Sequence, residues 1–355
     1  MQNSLNQLEP QGLVDAFLKH PPQQFTVQHS SDAVDFFTTT FDLTSTLDTT
    51  MRQRLLAMLG DTYWQRFLHV SACFVGTTVT EYTHLLRKTE PADLMTEIKQ
   101  QAKQATLTII KDLPLNSPLL SVEENQYSQQ LIREAQVQGF IAVEGQALAY
   151  VPIDFGDRDA YLARLSKSRR KNLRRKLKSL QYLRVEDRAT GDAYFSDQAL
   201  QQQLYQLYLA VYEQSDIHFD LLSPEFFAAI LQDGDSQGRV FFYWHAQTLV
   251  GYNICYIYKG NLVDKYIGFD YALALQYNLY FVSWFVNLDY AVQHGLKFYI
   301  TGWTDPGVKA QLGAKFTFTQ HLVWIKQPIL RYVLGRLKPL FEADAHWHKT
   351  QRETT

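Results

Sequence analysis

The chain is poor in cysteine: Cys73 and Cys255 are its only two in 355 residues, and neither stands at CxxC or metal-ligand spacing. That excludes a disulfide framework and implies a reduced, cytoplasmic protein. No apolar run is long enough to span a bilayer. The most hydrophobic stretch, Tyr280 to Val292, is interrupted by Ser283, Asn287 and Asp289, which fits a buried helix better than a membrane span. The amino terminus MQNSLNQLEP has no positive segment followed by an apolar one, so no secretory leader is expected. An excess of one charge sign is missing too. A formal net charge of −2, with 46% hydrophobic and 20% charged residues, describes a globular chain and argues against general coating of nucleic acid. No Ser-His-Asp or Cys-His set is present. His218 and His245 stand alone, and the HWHK of residues 346 to 349 reads as a polar terminus, so no metal is expected.

Against this even background one segment stands out. Residues 162 to 180, LARLSKSRRKNLRRKLKSL, hold nine of the 34 Lys and Arg residues and contain no acid, Gly or Pro. At helical spacing Leu162, Leu165, Leu173, Leu177 and Leu180 form one stripe, and Arg169 occupies the position that completes it. The pattern predicts one helix that packs on a core with Arg169 in or beside it, facing a carboxylate or phosphate. The other reading is a solvated basic face with Arg169 reaching the surface.

The remaining text alternates strands and helices. Strands are expected at 68–74, 77–85, 106–111, 140–143, 147–151 and 182–186, with a turn at Glu144, Gly145 and Gln146 and a helix over 123–138. A helix over 199–214 and one opening at Ser223-Pro224 precede three hairpin-linked strands, 239–245, 248–258 and 261–269. A long helix over 278–294 ends at Gly295, and a strand, a Gly- and Pro-containing loop, a short helix through Lys309 and a strand over 315–325 complete an α+β chain with a mixed sheet. A final helix, 329–341, carries Ile329, Val333, Leu337 and Leu340 on one side with Arg331, Arg336 and Lys338 elsewhere. It reads as docked on the domain, with peripheral contact to an anionic membrane as the alternative.

Four stretches occur in a telling order: LSKSRRKNLRRKLK, LLSPEFF, LVDKYIGFD and HGLKFYITGWTDPGVKAQLGAKF, within residues 150 to 325. This text resembles the BioF2-like and Fem-like acyltransferases of the GNAT superfamily. The resemblance implies a GNAT-like, mainly antiparallel sheet flanked by helices, in two GNAT-like halves: a degenerate one over 1–150 and an acyltransferase domain over 151–355. It implies transfer of an acyl group to an amine, with acyl-CoA as co-substrate. The alternatives are a Fem-type transferase using aminoacyl-tRNA or an acyl carrier protein, and a non-catalytic binding protein. One departure is plain. GNAT enzymes hold the CoA pyrophosphate on a glycine-rich turn before the long helix, whereas this chain has DYALALQYN, residues 270 to 278, without glycine.

Direct attack of an amine on a carbonyl needs a proton acceptor, a polarising group and a proton for the leaving group. Strand alternation predicts Asp264, Tyr266, Gly268 and Asp270 on one face, with Asp264 as general base, against a reading as a paired surface charge, and Tyr266 as general acid, against ordinary core. Lys309 is expected near the substrate, as the resemblance implies, and a lysine just after Asp305, Pro306 and Gly307 runs against the helix dipole. Donor or acceptor binding is expected from Arg169, Arg170, Asn172, Arg174, Asp270, Gln276 and Trp303, with Tyr299 as a further wall or as core.

Overall fold

The computed structural model of the chain describes residues 4–28, 34–42, 57, 69–86, 89–215, 219–328 and 331–332. Apolar residues at helical and alternating spacing build, in chain order, α1 (Gln11–Lys19), β1 (Thr26–Gln28), β2 (Phe36–Asp42), β3 (His69–Val75), α2 (Pro91–Gln101), β4 (Leu107–Pro114), α3 (Val122–Val137) and β5 (Ile141–Pro152). There follow α4 (Arg158–Ala163), α5 (Lys167–Leu177), β6 (Arg184–Ala189), α6 (Gln198–Gln214), α7 (Pro224–Gln232), β7 (Gly238–His245), β8 (Thr248–Tyr258) and β9 (Asn261–Phe269). Last come α8 (Tyr271–Gln276), α9 (Leu279–Gln293), β10 (Phe298–Gly302), α10 (Pro306–Leu312) and β11 (Lys315–Ile325).

The chain divides into two compact units. Unit 1 comprises residues 1–7, 24–147 and 317–355, and unit 2 comprises 8–23 and 148–316. A single boundary at 150 would give α1 to the first half and β11 to the second, the reverse of these assignments. Within unit 1 the strands lie in the order β1-β2-β3-β4-β11, with β11 flanked on its other side by the first part of β5. In unit 2 the order is β5-β10-β9-β8-β7-β6. Among the described residues β3 runs parallel to β4 and β9 parallel to β10, while β1–β2, β2–β3, β4–β11, β5–β10, β6–β7, β7–β8 and β8–β9 are antiparallel. Both parallel pairs are joined through a helix, α2 in one case and α9 in the other. This is the α+β, GNAT-like sheet arrangement.

Each unit has its own core. Leu94, Met95, Ile98, Leu131 and Ala135 pack from α2 and α3 in unit 1, while Leu279, Val282, Phe285, Leu288 and Ala291 of α9 anchor unit 2. Truncating one such side chain, as in Leu288→Ala, removes about 2–5 kcal/mol of stability.

Three local expectations change. Residues 77–85 are bends and irregular backbone and not a strand, because this segment bonds to others through isolated contacts such as Thr83 N–H to Asp112 O and the bridge of Leu5 with Leu85. No turn forms at 144–146: β5 runs unbroken through Gly145, where a Cβ would stand 2.1 Å from Thr319 Oγ1. The basic segment is not one helix. Ser166 accepts from the Arg169 N–H and starts α5 afresh after α4 ends at Ala163. The restart breaks the phase of the stripe, so Leu173 is buried and Leu165, Leu177 and Leu180 pack on the core, but Arg169 is exposed. Its guanidinium only reaches Ala310 O, at 3.4 Å.

Candidate functional site

The parallel register of β9 and β10 holds for three pairs, ending at Ile300 with Val263. Beyond it the strands part, and two irregularities sharpen the opening. On β9, Lys265 is an extra residue between Asp264, opposite Cys255, and Tyr266, opposite Ile254. On β10, Thr301 is extra between Ile300 and Gly302, and Gly302 adopts φ +76°, a conformation that favours glycine. A cavity of about 90 Å³ lies at this parting, lined by Asp264, Lys265, Ile267, Tyr280, Ser283, Trp284, Tyr299, Thr301, Thr304 and Lys309.

The bulge at Lys265 separates residues that strict alternation puts together. Asp264 turns toward α9, whereas Tyr266 packs edge-on against Phe226 and Phe227 of α7, ring centroids 5.7 and 5.5 Å away. Gly268 lies against Tyr252 and Leu207 of α6. Tyr266 is thus core on the face away from the cavity, and burial pushes its hydroxyl well above the usual tyrosine range.

Asp264 sits in a web of buried amides and hydroxyls. Its Oδ2 accepts from Tyr299 OH at 2.9 Å and from Asn287 Nδ2 at 3.0 Å. Its Oδ1 meets Asn253 Nδ2 and Cys255 Sγ only at 3.4 and 3.5 Å. Asn253 is held in turn by Tyr243 OH, which donates to its Oδ1 at 2.7 Å, and its own Nδ2 reaches Asn287 Oδ1 at 3.1 Å. Burial raises the Asp264 carboxyl above its ordinary range, and the Tyr299 hydrogen bond and the Lys309 charge pull it part of the way back. Of the two oxygens, Oδ1 is the one with loose partners and capacity to accept a proton.

Lys309 is 4% exposed, and its Nζ donates to Thr301 O, the carbonyl at the strand parting. Asp305, at φ +50°, and Pro306 start α10 so that Lys309 points inward, and Gly313, at φ +99°, ends the helix where a Cβ would strike Leu165 and the Tyr161 hydroxyl. Tyr280 lies across the cavity. Its hydroxyl oxygen is buried and makes no hydrogen bond, and burial, with Asp305 and Asp264 nearby, holds the phenol neutral. An unpaired buried hydroxyl costs about 1–3 kcal/mol, a cost recovered when a bound group pairs with it.

Of the residues expected from sequence, the cavity brings together Asp264, Lys309 and Tyr299. Asp270 instead caps α8, accepting from the Leu273 N–H at 3.2 Å. Gln276 is exposed and bonds Tyr277 OH, and Trp303 lies in the loop before α10, outside the cavity lining. Arg169, Arg170, Asn172 and Arg174 stay on α5: Arg170 bonds the carbonyls of Ala163 and Leu165, Asn172 accepts from Arg175, and Arg174 pairs with Asp159. His245 stacks on Tyr277, while His218, residues 346–349 and nearly all of 329–341 lie outside the described residues. Among the described residues no group of three or more His, Cys, Asp and Glu could hold a metal ion, and no helix is long and apolar enough to cross a membrane.

Sequence reasoning missed Asn253, Asn287, Tyr280 and Trp284. Only Asn287 left a signal: Ser283 and Asn287, four apart on a mainly apolar helix, mark the side of α9 that meets the carboxylate.

A family model named FemAB_like, described as peptidoglycan biosynthesis/recognition, matches residues 91–340. Three solved structures share the fold. FemX is 10% identical, with 93% of this chain and 96% of that one covered at a TM-score of 0.53. L-PGS from Bacillus licheniformis is 9% identical, covering 93% and 97%, also at 0.53. The C-terminal domain of a putative lysylphosphatidylglycerol synthetase from Agrobacterium fabrum is 12% identical, covering 78% and 86% at 0.51. At these identities the likeness is one of fold. No curated protein matches.

Proposed function

The chain belongs to the FemAB-like family, and from that premise we propose that it transfers an acyl or aminoacyl group from an activated carrier to an amine, by direct attack in the cavity where β9 and β10 part. The observation that carries this reading is the convergence of a half-buried carboxylate, Asp264, and a buried ammonium, Lys309, on one small cavity. In this reading the amine nitrogen bonds to the carbonyl carbon and its proton passes to Asp264 Oδ1. The carbon–oxygen or carbon–sulfur bond to the carrier then breaks, and the leaving atom takes up a proton. Asp264 is suited to this task, since burial raises its basicity. Negative charge building on the carbonyl oxygen is met by the Lys309 ammonium and the Tyr280 hydroxyl, both held in place before the substrate arrives. Asn253, Asn287 and Tyr299 orient the carboxylate.

The family description supports an acceptor amine on a peptidoglycan precursor. For the donor, one observation favours a carrier other than CoA. Where a pyrophosphate-binding turn would stand after β9, the chain folds the short helix α8, and the Asp270 carboxylate already occupies its amino end. A phosphate would meet a like charge there. Aminoacyl-tRNA is therefore the second donor to test beside acyl-CoA.

The test is turnover by purified protein with labelled acetyl-CoA and, separately, a charged tRNA mixture, offered a panel of precursor peptides that bear free amines. Transfer that disappears in Lys309→Ala supports the reading. Absence of transfer from either donor, with the protein folded, would replace it with the non-catalytic alternative.

A further inference from the structure

The cationic helix takes no part in the cavity. Lys167, Lys171, Arg174 and Lys178 are spaced by four, three and four residues, so they form one exposed ridge along α5 and the turn that follows, and Arg175 lies beside it. The ridge faces no acid of its own stretch, since no Asp or Glu occurs between Asp159 and Glu186. Within the ridge Arg174, in the last turn of α5, pairs with Asp159 of α4, while Arg164, ahead of the ridge, pairs with Asp154; Glu186, beyond its carboxyl end, is taken by Arg184 and Arg188. The buried side of the helix is satisfied by Leu173, and Lys176 lies over the Phe281 ring of α9.

At the carboxyl end the ridge meets two of the large apolar side chains that the fold leaves in water. Tyr182 is 59% exposed and Leu275, on α8, is 76% exposed. Their segments are stapled together: Asn278 Nδ2 donates to Ser179 Oγ at 3.1 Å, and His245 contacts Tyr182 O while stacking on Tyr277. A row of cations ending in an exposed leucine and tyrosine matches the chemistry of a bilayer surface, with anionic headgroups over the ridge and an aliphatic and a phenolic group at the acyl boundary. RNA would reward the cations and a stacking tyrosine, but not an aliphatic side chain in water. We propose that α5, with Tyr182 and Leu275, docks the protein peripherally on an anionic membrane surface. This goes beyond the transfer reaction and does not depend on it, because docking is measured without turnover.

The test is flotation of the full chain with phosphatidylcholine vesicles that contain phosphatidylglycerol, and with phosphatidylcholine alone. The wild type is expected to float with the anionic vesicles, to be released by salt, and to ignore the neutral ones. Lys171→Gln with Lys178→Gln should weaken partitioning about thirty-fold, from roughly five-fold per cation. Tyr182→Ser with Leu275→Ser should weaken it while leaving the salt dependence unchanged. These side chains are exposed, so an unaltered melting curve verifies that each variant is folded. Failure to float, flotation indifferent to both pairs of substitutions, or capture of an unfractionated tRNA mixture without flotation would each overturn the proposal.

Discussion

The two places where parallel strands part, β9 from β10 in unit 2 and β3 from β4 in unit 1, are built alike and filled differently. In unit 2 the last parallel pair is Val263 with Ile300; in unit 1 it is Val75 with Ile110. One residue further, β9 carries Asp264 and β3 is followed by Gly76. Two residues further, β10 has Gly302 at φ +76° and β4 has Asp112 at φ +56°, each at a bulge against the next strand, β5 or β11. The backbone repeats, down to the left-handed residue. The chemistry does not. Where unit 2 keeps a cavity with an inward lysine, unit 1 packs Thr83 and His84 against Gly76 and ties Asp112 to Thr319 and Lys111, with the Asp112 N–H donating to His321 Nδ1 at 3.0 Å. A parting of strands makes room for a site, and the side chains decide whether that room is kept or closed.

The sharpest way to break this comparison is to remove the groups that keep the site open in unit 2. Lys309→Met should lower kcat about 10²- to 10³-fold, the usual loss when a preorganised charge facing a developing oxyanion is removed, and Asp264→Asn should fall in the same range. Single-turnover rates check both, and a rate within three-fold of wild type would remove the residue from the mechanism. The reciprocal change tests the closed site. Gly76→Asp puts a carboxylate at φ +93° in a buried position, where strain and an unpaired charge should cost about 3–5 kcal/mol. Chemical denaturation reads this loss, and transfer activity should not rise.

Smaller effects sharpen the account of unit 2. Tyr280→Phe deletes only the unpaired hydroxyl, so stability should stay level or rise slightly while kcat falls about ten-fold. A fall in stability would show that the hydroxyl already has a partner in the free protein. Asn287→Leu should cost more stability than Tyr280→Phe, because it strips a hydrogen bond from the half-buried Asp264 carboxylate.

How far the sequence disclosed this arrangement follows from what each residue needed. Asp264 and Lys309 were legible because each is a charge in an otherwise apolar or structurally awkward setting. Tyr266 was misplaced because alternation has no means of showing a bulge: Lys265 adds one residue, and everything after it changes face. Of the two readings of Arg169 the solvated one holds, and for a parallel reason, since Ser166 resets the helix phase in mid-segment. The strands and the long helix of unit 2 were readable from their Val, Ile, Tyr and Phe, whereas 77–85 looked like a strand on composition and lacks a ladder partner. Asn253 and Asn287 carried no local oddity beyond polarity on a buried element, and their role exists only once β8 and α9 bracket β9. The exchange of α1 and β11 between units is likewise invisible to any reading that cuts the chain once.

The smallest effect separates the two aspartates by pH. Burial raises Asp264, so the folded state holds its proton more tightly than the unfolded chain does. Its contribution to stability is therefore present below the unfolded value, near 4, and is lost as pH rises through the higher folded value. Asp112 runs the other way. Burial alone would raise it, but the charges of Lys111 and His321, with hydrogen bonds from Lys111 and Thr319, hold it below the usual carboxylate range. Its contribution is present above the unfolded value and is lost as pH falls through the folded one. Burial also lowers His321, against the pull of Asp112, so folding is further penalised as pH falls below the ordinary histidine value. Asp264→Asn should therefore stabilise the protein at neutral pH, with an advantage that shrinks on acidification, whereas Asp112→Asn should destabilise it at neutral pH and converge with wild type in acid. Melting curves of the three proteins across the acid range check both slopes. If the two variants moved in the same direction with pH, the two strand partings would not differ electrostatically in the way their partners require.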